Sequence, residues 1–373
     1  MRVLLLTDSD AFAGTEQHML TLAQGLNELS VDIAIACPGE APLAQHARSR
    51  GVAVIDVPKR GQIDLKAVRV LAGLLKIGEF DIIHAHNGRT AFLAVLALRL
   101  ARCGRLVVTQ HFLTPHHSSM HGLKGVLWRS AHRWMNGNVS QFIAISSSVA
   151  QSIIQRRDAP AERVSTVFNG IDEPVVELVA RNECLAALGL PAEALLLICA
   201  ARLQKEKDLP TLILAMAQVV QSVPAAHCVV AGEGSERVSL ENQISALGLQ
   251  RNVHLVGYRE DVLQLISAGD VFVLPSRAEP FGLVLLEAMA LSKPVVASRA
   301  GGPLDIVEDG VTGRLVEPGN ATDLATAMVD LMANPDIRNA FGQSGRSRFL
   351  ELFTASRLAE ATRAAYHKAL LRV

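Results

Sequence analysis

Neither sign of charge is in surplus here: Lys and Arg total 36, and Asp and Glu also total 36, in 373 residues. That balance removes the electrostatic footprint of bulk nucleic-acid binding, so nucleic acid is not an expected partner and only a local basic patch is left open. Cysteine is scarce as well, with five residues (Cys37, Cys103, Cys184, Cys199 and Cys228), odd in number and far apart. They show no zinc or redox spacing, and Cys37, Cys199 and Cys228 sit in or beside apolar runs, as reduced core residues of a cytoplasmic protein do. Long hydrophobic runs are missing. No stretch approaches the roughly 18 apolar residues of a membrane span. The opening run Val3–Leu6 is stopped by Asp8 and Asp10, too soon for a signal peptide. What the chain does have is core material: 50% hydrophobic against 19% charged residues argues against disorder. At roughly 150 residues per domain, the length gives two or three domains, each able to bury its own core.

The dominant grammar is a short apolar run, a turn and a helical stretch, repeated. Strand-like runs occur at Val3–Leu6, Val31–Ala36, Val52–Val57, Asp81–His86, Leu106–Thr109, Phe142–Ile145 and Val164–Phe168. A second set follows at Leu195–Ala200, His227–Ala231, Val253–Val256, Val271–Leu274, Val295–Ala297 and Gly313–Val316. Helical periodicity lies between them, as in Met19, Leu22, Ala23 and Leu26. Such alternation predicts βα units, parallel sheets and helices on both faces. The architecture repeats although the sequence does not. The rhythm pauses between Gly170 and Leu195, which predicts an N-terminal domain over 1–180 and a C-terminal one over 181–354. The segment 355–373 is helical with no strand after it. Two such domains would face a cleft, with chemistry in the loops after the strands' carboxyl ends.

The most specific constellation is Glu279-Pro280-Phe281-Gly282-Leu283-Val284-Leu285-Leu286-Glu287, after the run Val271–Leu274 and at the head of an apolar helix. The amides around Phe281, Gly282 and Leu283 would form an anion site at the helix N-terminus. Glu279 in the loop and Glu287 a turn or two inside the helix would offer acceptor carboxylates to a polyhydroxylated ligand; the plain alternative is a surface glutamate plus a helix-stabilising one. Arg202 and Lys207 follow Leu195–Ala200, and two cations there would neutralise a diphosphate without a metal, Lys205 competing for that role. Solvated loop cations are the alternative. Gly14 follows the first strand and permits close approach to phosphate or sugar, while Asp8-Ser9-Asp10 is an acidic triplet of a kind common by chance. His111 follows Leu106–Thr109 and either meets a sugar hydroxyl or is structural. His84 and His86 alternate onto one face and read as structural. Metal-ligand spacing is absent from the sequence, so no metal is expected. His116, His117 and His121 precede a helix at 123–135, which mixes Lys124, Arg129, His132 and Arg133 with Val126, Leu127, Trp128 and Trp134. That helix either has a solvated face or rests on an anionic membrane or a phosphorylated acceptor.

Glu279–Glu287 resembles the E-x7-E signature of retaining glycosyltransferases of family 4, which have the GT-B fold. Arg202–Lys207 resembles that family's Arg…Lys pair, and Asn169-Gly170-Ile171-Asp172 its inter-domain segment. Gly301-Gly302 and Gly310–Gly313 resemble its loops beyond E-x7-E. The likeness covers nearly the whole chain and is most specific from about 195 to 320. It implies an α/β protein of two Rossmann-like doubly wound sheets, with the last helix packing back on the first, acceptor-binding domain. It further implies that Arg202 and Lys207 hold the donor diphosphate, that Glu279 and the amides of Phe281 and Gly282 meet the transferred sugar, that Leu283 also belongs to the donor site, and that Glu287 binds ribose. The loop Gly257-Tyr258-Arg259 would meet the base, mostly through backbone. Gly14 would approach the donor phosphate, and His111 matches the cleft histidine near the sugar. Ala13-Gly14 stands where Gly-Gly is more usual, and Ala201 and Asp208 stand where Gly is common.

The implied reaction is metal-independent hexosyl transfer with retention, from a nucleotide diphosphate sugar (a UDP-sugar ahead of a GDP-sugar) to a glycan or lipid-linked acceptor. It would serve cell-surface polysaccharide, lipopolysaccharide or glycolipid synthesis, in the cytoplasm or on the inner face of the plasma membrane. Alternatives on the same fold are a nucleotide-sugar epimerase or hydrolase, and a catalytically silent binding module.

Overall fold

A computed structural model describes residues 1–57, 64–113, 122–176 and 180–372, with backbone alone over 122–129. The chain divides into two compact units, Met1–Asp172 together with Thr354–Val373, and Glu173–Phe353.

The first unit is built on a parallel seven-stranded sheet in the order β3-β2-β1-β4-β5-β6-β7. Its strands are β1 (Arg2–Leu6), β2 (Asp32–Cys37), β3 (Ala53–Asp56), β4 (Ile82–Ala85), β5 (Arg105–Gln110), β6 (Gln141–Ala144) and β7 (Val164–Thr166). Val3, Leu4 and Leu5 of the central strand are wholly buried, which is why that run is apolar on both faces. Side-chain oxygens start several of the helices: Asp64 accepts from the Lys66 and Ala67 amides, Asn87 from Thr90, and Ser146 from Val149. The last helix, Ala355–Leu370, lies against Gly14–Glu28, where Gly25 leaves room: a Cβ there would stand 2.9 Å from the Ala359 methyl. Gly170 does the same at the point of re-entry, since a Cβ would lie 2.2 Å from the Thr354 carbonyl oxygen, beside the bridge Ile171–Thr354.

The second unit carries a parallel six-stranded sheet, β10-β9-β8-β11-β12-β13. These are β8 (Leu195–Ala200), β9 (Ala226–Ala231), β10 (Val253–Gly257), β11 (Val271–Leu274), β12 (Val295–Ser298) and β13 (Gly313–Val316). Its core joins Leu197, Cys199, Val273 and Val296 from the strands to Leu212, Met216 and Met328 from covering helices. Every strand run read from the sequence lies on one of these thirteen strands. In both sheets the order reverses beside the central strand, at β1/β4 and at β8/β11, the position at whose carboxyl ends open α/β sheets bind ligands. Among the described residues, no helix is long and apolar enough to cross a membrane. Cys37, Cys184, Cys199 and Cys228 are buried, whereas Cys103 is exposed and so is not a core residue.

Candidate functional site

In the second unit the reversal point brings together the loops after β8 and β11. A short 3-10 turn, Lys205–Lys207, follows β8 and ends at Asp208, whose φ of 50° turns the chain into the helix Leu209–Ser222. Asp208 is buried, accepts from the Thr211 hydroxyl at 2.9 Å and pairs with the Arg277 guanidinium at 2.9 Å. The turn thus fixes Lys207, whose Nζ lies 2.6 Å from Glu279 Oε2. The same carboxylate oxygen accepts from Ser276 Oγ at 3.0 Å, and both Ser276 and Glu279 are buried. Glu279 thus meets both partners as an acceptor.

Beyond Glu279 the chain enters the helix Leu283–Ala290 through Gly282, at φ 106°. That left-handed cap suits glycine alone. Amides at the start of a helix lack carbonyl partners one turn back, an arrangement that can receive an anion. Phe281 is buried, with its ring 6.2 Å from that of Phe353. Glu287, in the second turn, is partly buried, and desolvation pushes its carboxyl up to about 7. Gly301 and Gly302 pin the Glu279 loop from behind. The Gly302 amide donates to the Glu279 carbonyl at 2.8 Å, and a Cβ on Gly302 would fall 2.2 Å from Phe281 Cα.

The other candidates of this unit lie differently. Arg202 is exposed, and its guanidinium reaches Glu206 at 3.3 Å, not Glu279. Tyr258 is exposed, while Arg259 is committed to Asp261 through two bonds of 2.7 and 2.5 Å. Leu283 takes the first helical position and is partly buried. The sequence reading passed over Gly232 and Gly234, which follow β9. A Cβ on either would fall 2.0 Å from the Ala201 oxygen or 2.3 Å from that of Leu203, so they let the β9 loop press on the Arg202 loop. A Gly-x-Gly just after a strand was the available signal.

In the first unit Gly14 opens the helix Gly14–Glu28 and is exposed, with Glu16 reaching back to the Ala13 amide at 3.0 Å. Asp8, read as half of an acidic triplet, is bound by Arg89 and by the Asn87 amide at 2.8 Å. His111 stands just beyond β5, buried, with its Nε2 3.1 Å from His86 Nδ1. His84 is a structural residue, bonded to Tyr366 Oη at 2.7 Å and to Thr109 Oγ1 at 2.6 Å. Desolvation holds all these imidazoles below their ordinary range: His18 at about 4, His84 at about 3, and His86 and His111 well below 6.5. They are neutral at physiological pH. Three of them, His18, His86 and His111, place nitrogens within 4.8 Å of one another, a set able to hold a metal ion in the neutral form that metals require. Linear spacing hid this group, because its members come from a helix and two strand ends. His116, His117 and His121 lie outside the described residues, as do the side chains of Lys124, Val126, Leu127, Trp128 and Arg129.

Comparison with known proteins bears on this arrangement. A family model described as "Glycosyl transferases group 1" matches residues 181–348, and one described as "Glycosyltransferase Family 4" matches 12–173. An uncharacterised glycosyltransferase of Methanocaldococcus jannaschii is 25% identical over 303 residues, covering 78% of this chain and 76% of its own. The MMP alpha-(1->4)-mannosyltransferase of Mycolicibacterium hassiacum is 28% identical over 338 residues, covering 85% and 77%. Among solved structures, HepE of Anabaena in complex with UDP superposes with a TM-score of 0.86 at 24% identity, covering 98% of this chain and 100% of its own. With one family model on each half and the two-sheet architecture shared throughout, the chain belongs to glycosyltransferase family 4 and is a glycosyltransferase of the GT-B fold.

Proposed function

We propose that this glycosyltransferase moves a hexosyl group from a nucleotide diphosphate sugar to a glycan or lipid-linked acceptor, with retention of configuration and without a metal ion. The observation that carries the reading is the Lys207–Glu279 pair beside the start of the helix Leu283–Ala290. As the glycosidic bond breaks, charge builds on the departing diphosphate. Preorganised cations and helix amides then stabilise the transition state more than the ground state. Lys207 and Arg202 are assigned to the diphosphate, Glu279 with the Phe281, Gly282 and Leu283 amides to the transferred sugar, and Glu287 to the ribose. Backbone at Tyr258 and Arg259 is assigned to the base, consistent with the Arg259 side chain being taken up by Asp261. Gly14 is assigned to a donor phosphate and His111 to a sugar hydroxyl.

A uridine diphosphate sugar is the favoured donor, supported by HepE, solved with UDP and also with UDP-glucose. Surface-polysaccharide, lipopolysaccharide or glycolipid synthesis in the cytoplasm is the favoured setting, with peripheral membrane contact through the helix Gly122–Gly137. Screening nucleotide sugars for nucleotide release and thermal stabilisation tests the reading. Release that needs an acceptor supports transfer. An altered sugar from donor alone indicates an epimerase, acceptor-free release a hydrolase, and stabilisation without release a silent binding module.

A further inference from the structure

One described pocket belongs wholly to the first unit. It encloses ≈ 580 Å³ at the amino ends of β5 and β6. That volume is ample for a small ligand. Its lining includes five arginines: Arg99 and Arg102 from the end of the helix Gly88–Ala101, Arg105 at the start of β5, Arg163 just before β7, and Arg372. His111 follows the far end of β5, so a strand's length of roughly 17 Å separates the pocket from it.

Four of the five guanidiniums are oriented without being neutralised, and the fifth, Arg102, is exposed. Arg99 donates to the Asn138 side-chain oxygen at 3.2 and 3.1 Å and lies over the Trp134 ring. Arg105 donates to the carbonyls of Arg372 and Gly104, Arg163 to those of Val139 and Asn136, and Arg372 to that of Glu162. Every one of these acceptors is uncharged. Among the described residues none of the five forms an ion pair. Asp81 lines an adjoining pocket of ≈ 270 Å³, where its carboxylate accepts the Arg2 amide at 2.8 Å. Helix-end arginines complement the helix dipole, which accounts for Arg99 and Arg102 but not for Arg105, Arg163 and Arg372. In a chain of zero net charge, five like charges around one concavity repel unless an anion joins them. Forked donors held by carbonyls match phosphate oxygens in geometry as well as charge.

We propose that this pocket binds a phosphoryl anion, at a site separate from the transfer chemistry, presented either by a soluble phosphate or by the headgroup of an anionic lipid. Cys103 lines it and is the one exposed cysteine, so its thiol is a local reporter. In the full-length protein, inorganic phosphate at about 10 mM should slow iodoacetamide labelling of Cys103 at least about fivefold, while chloride of equal ionic strength should not. Should the source be a lipid, vesicles about one-third phosphatidylglycerol should sediment the protein and protect Cys103, and pure phosphatidylcholine vesicles should do neither. Protection in either arm should disappear in Arg102→Glu, whose side chain is exposed, and in Arg163→Gln. Less than about twofold protection in both arms, or protection unchanged in both variants, overturns the proposal.

Discussion

Lys207 Nζ and Glu279 Oε2 sit 2.6 Å apart, although 72 residues separate them in the chain. Each comes from the loop after a strand flanking the reversal point of the second sheet, so the topology itself makes the pair. In the proposed reaction the two part their duties, the ammonium to phosphate and the carboxylate to sugar. The pair keeps both charges ordered in the meantime.

Lys207→Ala should lower kcat at least about a hundredfold, the usual cost of one preorganised donor. A fall below threefold would show that Lys207 is misassigned. Stability should fall too, by about 3–5 kcal/mol, because Glu279 is left buried with only Ser276 beside it. Adding Glu279→Gln should recover most of that stability and none of the activity. This separates the structural role of the pair from the chemical one.

Glu287 gives a pH signature. Its carboxyl sits at about 7 in the folded chain, against an ordinary 4.5. The favourable contribution is therefore complete below pH 4.5 and is lost as pH rises through 7, where the folded chain must carry a buried charge; its size is about 3 kcal/mol. Glu287→Gln should unfold at the same temperature as wild type near pH 4 and at a higher one at pH 8. If the ionised carboxylate accepts from ribose hydroxyls, wild-type donor affinity should climb between pH 6 and 8 and that of Glu287→Gln should stay flat. Parallel calorimetric titrations of the two proteins decide it.

The histidines act in the opposite direction. Their folded pKa values are depressed, so the stability they contribute is present above about 6.5 and drains away as pH falls towards 4. His18→Leu removes a fully buried imidazole that faces the Asn169 side chain. It should narrow the gap between melting temperatures at pH 7 and pH 5, and a widened gap would refute the assignment.

Excess chelator should leave transfer at full rate. A loss beyond tenfold, restored by a divalent cation, would bring a metal into the reaction and point first to His18, His86 and His111. The acidic triplet is the weaker suspect, with Asp8 already held by Arg89 and Asn87.

Much of this was readable in one dimension, and the exceptions share a cause. Strands buried on both faces write continuous apolar runs, so β8 and β11 were located to the residue. The E-x7-E segment was legible because a loop carboxylate, a left-handed Gly282 and a helix all lie within nine residues of sequence. The Lys207–Glu279 bond was not, since nothing in either loop specifies which cation turns inward; the αL turn at Asp208 selects Lys207 and leaves Arg202 in solvent. The histidine group and the arginine pocket are likewise products of strand order. The three histidines come from a helix and two strand ends and the five arginines from four separate stretches, gathered at opposite ends of strands that only folding assembles.

Gly301 and Gly319 allow a test of that tertiary contribution at matched φ, 76° in both. Alanine at either position pays about 1–2 kcal/mol for the left-handed backbone. Their surroundings differ. At Gly319 the new methyl meets the movable end of Arg277 at 3.4 Å, whereas at Gly301 it would sit 2.0 Å from the Glu279 carbonyl oxygen. Backbone cannot swing aside as a side chain can, so Gly301→Ala must push the Glu279 loop off Lys207. Gly319→Ala should therefore retain wild-type kcat within about threefold and Gly301→Ala should lose at least about a hundredfold, with the larger drop in melting temperature as well. Equal activity in the two variants would mean that the position of Glu279 does not govern transfer.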